Sequence, residues 1–255
     1  MTLLIATGLL REARIMSAPG IVAIAGGGDG ARLERDLDQA IRAQPVRALL
    51  SSGLAGALNP SLQIGDVIVG TEGDPRLVAT LQRALPTAIV GMIVGCDEPV
   101  ATIEAKRALR INPPLQGEGD RRRRWRGVPP DGDTPPSVPP GLPPPPGGEN
   151  LRVSSVDMES HVVARVAERH GLPFATLRVI SDRASESLPP AALCGMRSDG
   201  TMAIGPVLAS LLRQPTQLPA LVRTGWNAEQ AFRALLRCHR MIGLVDLVEH
   251  ALDMA

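Results

Sequence analysis

Aromatic residues are scarce in this chain, which has two Trp, two Phe and no Tyr among 255 residues. The apolar share of 44% therefore consists mainly of Leu, Val, Ile and Ala, and it is enough for the core of one α/β domain. No uninterrupted apolar run approaches the roughly 18 residues of a membrane span, so the sequence predicts no transmembrane helix. The apolar N-terminus lacks a charged leading region and is interpreted as a first strand, not a signal peptide.

Cysteine and lysine are also rare. The three cysteines are odd in number and widely spaced, which excludes a disulfide framework and a zinc-type metal site and favours a cytoplasmic location. Lys106 is the only lysine, so the positive charge is almost entirely arginine. With a formal net charge of +1 the chain lacks the basic surplus that nucleic-acid binding needs, and we expect no nucleic-acid partner.

Short apolar runs alternate with helical patterns along most of the chain. The predicted strands cover residues 3–7, 21–25, 48–51, 66–69, 88–94, 153–156 and 174–180. The predicted helices cover residues 31–42, 76–85, 100–110, 160–170, 206–212 and 227–252. This alternation predicts an α/β fold, a three-layer αβα sandwich around a mixed, mostly parallel sheet.

Residues 112–150 interrupt the alternation. This stretch is dense in Pro and Gly, carries an arginine cluster around Trp125, and has no apolar periodicity. We predict a disordered insertion within a single domain formed by 1–111 and 151–255. A solvated expansion without function is the favoured interpretation, and the basic cluster leaves open a peripheral contact with an anionic membrane.

Two acidic segments, 156–161 and 179–184, each place a carboxylate where an apolar run ends. Ligands of α/β folds collect at the carboxyl ends of strands, so Glu159 and Asp182 are expected to lie near one site. Paired carboxylates suit the cleavage of a glycosidic bond. The alternative is structural, because Ser181 with Asp182 could cap the next segment and Glu159 could complement a helix dipole.

Five motifs in order, at residues 7–12, 53–56, 64–69, 157–160 and 181–184, resemble the nucleoside phosphorylase/nucleosidase superfamily. This superfamily includes purine nucleoside phosphorylases and methylthioadenosine/S-adenosylhomocysteine nucleosidases. The segments 156–161, 171–174, 188–192 and 213–221 are similar to its hopanoid-associated branch. The resemblance covers the chain apart from 112–150.

The resemblance implies roles for individual residues. Asp182 would protonate the leaving purine at N7, with Ser181 orienting it. Glu159 would bind the ribose 2′-hydroxyl, and Met158 would pack against the sugar. The remaining implied substrate-binding residues are Gly8, Gly53, Ala55 and Gly56.

Glu12 bears on the nucleophile. Nucleosidases place a water-activating glutamate at this position, whereas phosphorylases tend to have a phosphate-binding arginine. Because Arg11 and Arg14 lie close to this position, phosphate binding by these arginines is the alternative. Leu54 stands where phosphorylases often have a hydroxyl residue, so we favour water, with inorganic phosphate as the alternative co-substrate and no other cofactor.

The implied reaction releases adenine from an adenosine-type nucleoside, and the branch points to lipid-linked adenosylhopane. The alternatives are a methylthioadenosine/S-adenosylhomocysteine nucleosidase, a purine nucleoside phosphorylase, or a nucleoside-binding protein without catalysis. The resemblance also implies a homo-oligomer.

Two other features invite functional readings. Gly26 to Gly30 could suggest a phosphate cradle, but its spacing favours a tight turn with Asp29 near a helix start. The four histidines have no metal-site spacing, and His161 and His170 share one predicted helix.

Overall fold

The computed structural model describes residues 2–113, 153–195, 197, 199–243 and 252. Seven strands form the sheet: β1 (Thr2–Thr7), β2 (Ile21–Ala25), β3 (Val46–Ala57), β4 (Val67–Gly70), β5 (Ile89–Gly95), β6 (Val153–Asp157) and β7 (Phe174–Asp182). The helices are α1 (Leu10–Met16), α2 (Gly30–Ala43), α3 (Pro75–Ala84), α4 (Ile103–Ile111), α5 (Ser160–His170), α6 (Pro190–Leu193), α7 (Ile204–Arg213) and α8 (Leu218–Met241). A 3-10 turn at Pro215–Gln217 precedes α8.

The sheet is mixed and mostly parallel, with the order β2-β1-β3-β6-β5-β4-β7. The β3–β6 and β4–β7 pairs are antiparallel, and the other pairs are parallel. The last strand, β7, also pairs with β3. Strands β3 to β7 therefore close into a ring, and β1 and β2 extend the sheet outwards from β3.

Helices cover both faces of the sheet, as an αβα sandwich requires. One apolar cluster joins α1, α3 and α8 to the sheet, with Met16, Leu81 and Leu235 among its buried members. A second cluster joins α2 and α5 to the opposite face through Leu37 and Val162. Aliphatic side chains dominate both clusters, so the predicted fold class is confirmed.

Three of the larger differences between the observed elements and the sequence predictions concern β3, α1 and α8. Strand β3 continues to Ala57 instead of ending at residue 51, because pairing with β7 and β6 holds its glycines extended. Helix α1 was not predicted, since it is only seven residues long and has no N-cap hydroxyl or carboxylate. Helix α8 begins at Leu218 instead of residue 227.

The predicted disordered insertion lies outside the described residues, except for Asn112 and Pro113. Strand β6 follows it and is paired on both sides, with β5 and with β3. No helix in the described part of the chain combines the length and apolarity of a membrane span.

Candidate active site

Glu12 lies in the first turn of α1 and is 2% exposed. Its Oε2 accepts hydrogen bonds from the backbone N–H groups of Gly8 and Leu9, each 2.8 Å long. Its Oε1 accepts one from Leu54 N at 2.9 Å. The carboxylate thus ties the end of β1 to the middle of β3. Burial raises its pKa, and the three amide donors with nearby Arg178 oppose that rise.

Arg178 is fully buried on β7 and carries the positive charge at the centre of the site. Its guanidinium forms an ion pair with Asp157 and lies 3.4 Å from Glu159 Oε2. Its Nη2 donates to Ser51 Oγ at 2.6 Å. Carboxylates from two elements therefore converge on one cation, which is how proteins hold buried charge.

Glu159 faces the same group from the start of α5. It is the N-cap residue of this helix, yet its side chain makes no capping hydrogen bond. A methyl carbon added at Gly8 would lie 2.8 Å from Glu159 Oε1 and 3.4 Å from Glu12 Oε2, so the two carboxyl groups share one small space. Glu159 therefore does not cap α5 with its side chain, and Asp157 instead accepts from Ser160 N and Oγ.

Glu159 binds its proton more tightly than an exposed glutamate does. Burial raises its pKa to about 8, although Arg178 acts in the opposite direction. The negative charges of Asp157 and Glu12 add to the rise. Three buried carboxyl groups around one guanidinium cannot all be ionised at low cost, so at least one remains neutral.

Asp182 ends β7 and lies opposite Gly56 of β3. A bulge makes this possible: Ala55 pairs with Ile180 and Gly56 with Asp182, which leaves Ser181 as the extra residue. Ser181 Oγ donates to Asp182 Oδ1 at 3.1 Å and contacts Ala55 O at 3.3 Å. The other oxygen, Oδ2, accepts from the Lys106 ammonium on α4. Burial raises the pKa of Asp182, and Lys106 opposes the rise.

Strand β3 connects the two halves of the site. A methyl carbon added at Gly53 would lie 2.8 Å from Glu12 Oε2, and one added at Gly56 would lie 3.0 Å from Asp182 Oδ2. Gly56 is the third residue after Gly53, so the two glycines lie roughly 10 Å apart along the strand. The Asp182 carboxyl group therefore lies apart from the carboxyl groups of Glu12 and Glu159, farther along β3.

The structure thus brings the predicted residues to one edge of the sheet. Met158 is half-buried between Asp157 and Glu159, and Ala55 contributes its carbonyl oxygen. Sequence reasoning missed Arg178 and Lys106. The available signals were a lone arginine inside an apolar strand and a single lysine in an arginine-rich chain.

The other predicted features lie outside this cluster. Asp29 caps α2 by accepting from Arg32 N at 2.9 Å, so the turn interpretation of Gly26 to Gly30 is confirmed. His161 and His170 both lie on α5 and contact Asp97 and Asp38. Among the described residues no group of His, Cys, Asp or Glu is arranged to hold a metal ion.

A model of the phosphorylase superfamily matches residues 71–193, which include Glu159, Arg178 and Asp182. The match covers 123 of the 255 residues and confirms the predicted resemblance to this superfamily. At the level of this superfamily, the prediction of a nucleosidase or nucleoside phosphorylase is confirmed. No curated protein sequence matches the chain significantly.

Solved structures support the superfamily fold. A putative methylthioadenosine nucleosidase from Weissella paramesenteroides is 15% identical, covers 94% of this chain and 98% of its own, and has a TM-score of 0.52. A 5′-methylthioadenosine/S-adenosyl homocysteine nucleosidase from Helicobacter pylori is 17% identical, covers 87% of this chain and 97% of its own, and has a TM-score of 0.53. The MTA/SAH nucleosidase of Streptococcus pneumoniae is 16% identical, covers 93% of this chain and all of its own, and has a TM-score of 0.50.

Proposed function

We propose that this protein cleaves the N-glycosidic bond of an adenosine-type nucleoside and releases adenine. The observation that carries the proposal is the division of the site along β3. Glu12, Glu159 and Arg178 cluster at Gly53, and Asp182 stands at Gly56. This division suits a substrate whose sugar and base need different chemistry.

In the proposed reaction Asp182 acts on the base. Its O–H bond breaks as N7–H forms, and the electron pair of the glycosidic bond leaves with the neutral purine. The raised pKa of Asp182 supports this role, because a general acid must hold its proton before the reaction. Ser181 fixes the carboxyl group through its hydroxyl.

The other end of the site acts on the sugar. Glu159 hydrogen-bonds a ribose hydroxyl, and the Glu12 carboxylate offsets the positive charge that develops at the anomeric carbon. Arg178 has two buried N–H groups, on Nε and Nη1, without an acceptor in the described part of the chain. These donors can bind a ribose hydroxyl or the attacking oxygen beside Glu12.

Water is the proposed nucleophile. The negative charges of Asp157 and Glu12 beside a single guanidinium would repel a phosphate dianion, whereas a carboxylate next to bound water can take its proton. The Arg11 guanidinium is engaged elsewhere, in a 2.7 Å ion pair with Glu229. Phosphate is the alternative nucleophile that the assay below tests.

The proposed substrate within this class is adenosylhopane, as the hopanoid-associated resemblance implies. A lipid on the 5′ carbon needs an apolar opening, and Leu54 and Met92 do not supply it because both pack against core clusters. The better candidate is the segment after α6, since Leu10 N donates to Gly200 O at 2.9 Å beside the Glu12 loop. A lipid substrate would bring the protein to the inner membrane face.

The test is adenine release from adenosylhopane and, separately, from methylthioadenosine, each with and without phosphate. We expect phosphate-independent release, faster from adenosylhopane. Strict dependence on phosphate would contradict the choice of water, and faster release from methylthioadenosine would contradict the lipid-linked substrate. No release in any arm would leave a nucleoside-binding protein and refute the enzymatic proposal.

Asp182→Asn should lower kcat for adenine release at least about a hundredfold, because the amide cannot protonate the base. Asp36→Asn, which alters a surface ion pair on α2 outside the site, is the matched control and should retain the parent rate. Circular dichroism and the melting temperature verify the fold of both variants. An Asp182→Asn variant as active as the parent would show that another group protonates the base.

A further inference from the structure

Lys106 is the single lysine of the chain and the only buried residue of α4. Its exposed fraction is 1%. The ammonium donates to Asp182 Oδ2, to Arg183 O at 2.7 Å and to Glu186 O at 2.9 Å. All three N–H donors of the ammonium are thus used, and they hold α4 against the segment that follows β7.

These contacts are more than a way to satisfy a buried cation. The two carbonyl acceptors fix the nitrogen independently of Asp182, so its charge stays in place when that carboxyl group changes its protonation state. Charge at a fixed point next to a buried acid favours the ionised acid strongly, because little water screens it.

The remaining groups around Asp182 cannot replace this charge. Glu186 is the other ionisable group that acts on it, and its negative charge opposes ionisation. Glu186 is itself contacted by Asn227 Nδ2 at 3.2 Å and Arg223 Nε at 3.8 Å. Ser181 contributes a neutral hydroxyl, and Gly56 contributes no side chain.

We propose that Lys106 is a positioning residue that orients Asp182 and makes it a stronger acid for protonating the leaving base. This inference rests on the proposed function. The Asp182 O–H bond breaks, N7–H forms, and the remaining carboxylate is stabilised by Lys106, which keeps all of its own protons. Solvent then returns a proton to Asp182.

The kinetic test compares Lys106→Met with Arg107→Met, which removes a positive charge from an exposed site on the same helix. Without the ammonium, Asp182 is a weaker acid that stays protonated to higher pH. We expect Lys106→Met to lower kcat at least about tenfold with KM within about twofold. The alkaline limb of kcat/KM should move up by about one pH unit.

Lys106→Arg restores a positive charge and should return the alkaline limb to within about half a pH unit of its parent position. Arg107→Met should leave both the rate and the limb unchanged. A Lys106→Met variant with the parent pH profile would overturn the proposal, as would an equal shift in Arg107→Met.

A second measurement needs no activity. Because Lys106 is the only lysine, protein labelled with 13C at lysine Cε gives one lysine signal by NMR. We expect Asp182→Asn to move that signal, while Asp199→Asn leaves it in place. An unmoved signal in Asp182→Asn would overturn the pairing.

The two measurements separate the two claims. A labelled signal that moves in a protein with no adenine release would refute the proposed function and with it the kinetic role of Lys106. Release with an unchanged pH profile in Lys106→Met would refute the role of Lys106 alone. If Lys106→Met does not fold, the double variant with Asp182→Asn removes both charges and should recover a cooperative melt, and continued failure to fold would refute the pairing.

Discussion

At the scale of single residues, Gly53 is a position of the site where neither the backbone conformation nor the neighbouring side chains leave room for a side chain. Its φ of +150° disfavours any side chain, and an added methyl carbon would lie 2.8 Å from Glu12 Oε2 and 3.0 Å from Arg178 Nη1. Gly53→Ala should therefore lower the free energy of unfolding by about 2–4 kcal/mol and abolish adenine release. Urea unfolding and the adenine assay measure the two effects.

Gly171→Ala provides the control for backbone strain. Gly171 ends α5 with a φ of +63°, and nothing lies within 4 Å of an added methyl carbon. Only the conformational cost remains, about 1 kcal/mol, and activity should be kept. Equal losses in the two variants would show that crowding against Glu12 and Arg178 has no part in the effect at Gly53.

The site residues differ in whether the neighbouring sequence is enough to predict them. Glu12, Glu159 and Asp182 were predictable because each follows an apolar run in a recurring motif. Arg178 and Lys106 were not, since their partners come from other elements. Arg178 meets Asp157 only after β7 pairs with β3, and Lys106 meets Asp182 only after α4 packs beside that ring.

At the scale of elements, the ring of strands encloses a carboxyl group that the proposed reaction does not use. Glu72 follows β4, accepts from Ile93 N at 3.0 Å with Oε1, and leaves Oε2 buried without a hydrogen-bond partner. Burial raises its pKa from 4.5 to about 7. The folded protein thus binds this proton more tightly than the unfolded chain does.

Stability from this proton is fully present below about pH 4.5 and is lost as the pH rises through 7. Glu72→Gln keeps the side chain neutral throughout. Its melting temperature relative to the parent should therefore increase between pH 5 and pH 8.5, by at least about 3 °C. Differential scanning calorimetry at both values measures this change, with exposed Glu98→Gln as the control. A constant difference would show that Glu72 does not titrate in this range.

The elements themselves were largely predictable. Strand β2 and helix α5 have the boundaries that their apolar periodicity indicates. Strand β3 was cut short in the prediction because glycine weakens a strand pattern, and only pairing with β7 and β6 explains why residues 52–57 stay extended. Closure of the ring has no local signal at all, since it joins residues more than a hundred positions apart.

At the scale of the whole molecule, α7 and the start of α8 expose a row of large apolar side chains. This α7–α8 apolar row consists of Ile204, Leu208, Leu212, Leu218, Val222 and Trp226, each at least 50% exposed. The residues recur at every fourth position within each helix, so they share one side. A concentration of exposed apolar side chains marks an association site, and we propose that this row joins copies of the chain into a homo-oligomer.

Leu212→Glu combined with Trp226→Glu should lower the mass measured by light scattering to that of a monomer. Met241→Glu alters an exposed apolar residue outside the row and should leave the mass of the parent unchanged. A parent protein that is monomeric and floats with anionic vesicles would instead identify the row as a membrane contact.

Ring closure by β7 also determines which strands can recruit further strands. An open seven-stranded sheet has two unpaired borders, whereas here every described strand except β2 has neighbours on both sides. Ile21–Ala25 therefore offers the one free set of backbone donors and acceptors among the described strands. Amyloid-type stacking or capture of an extended peptide can start from the folded state at that border alone.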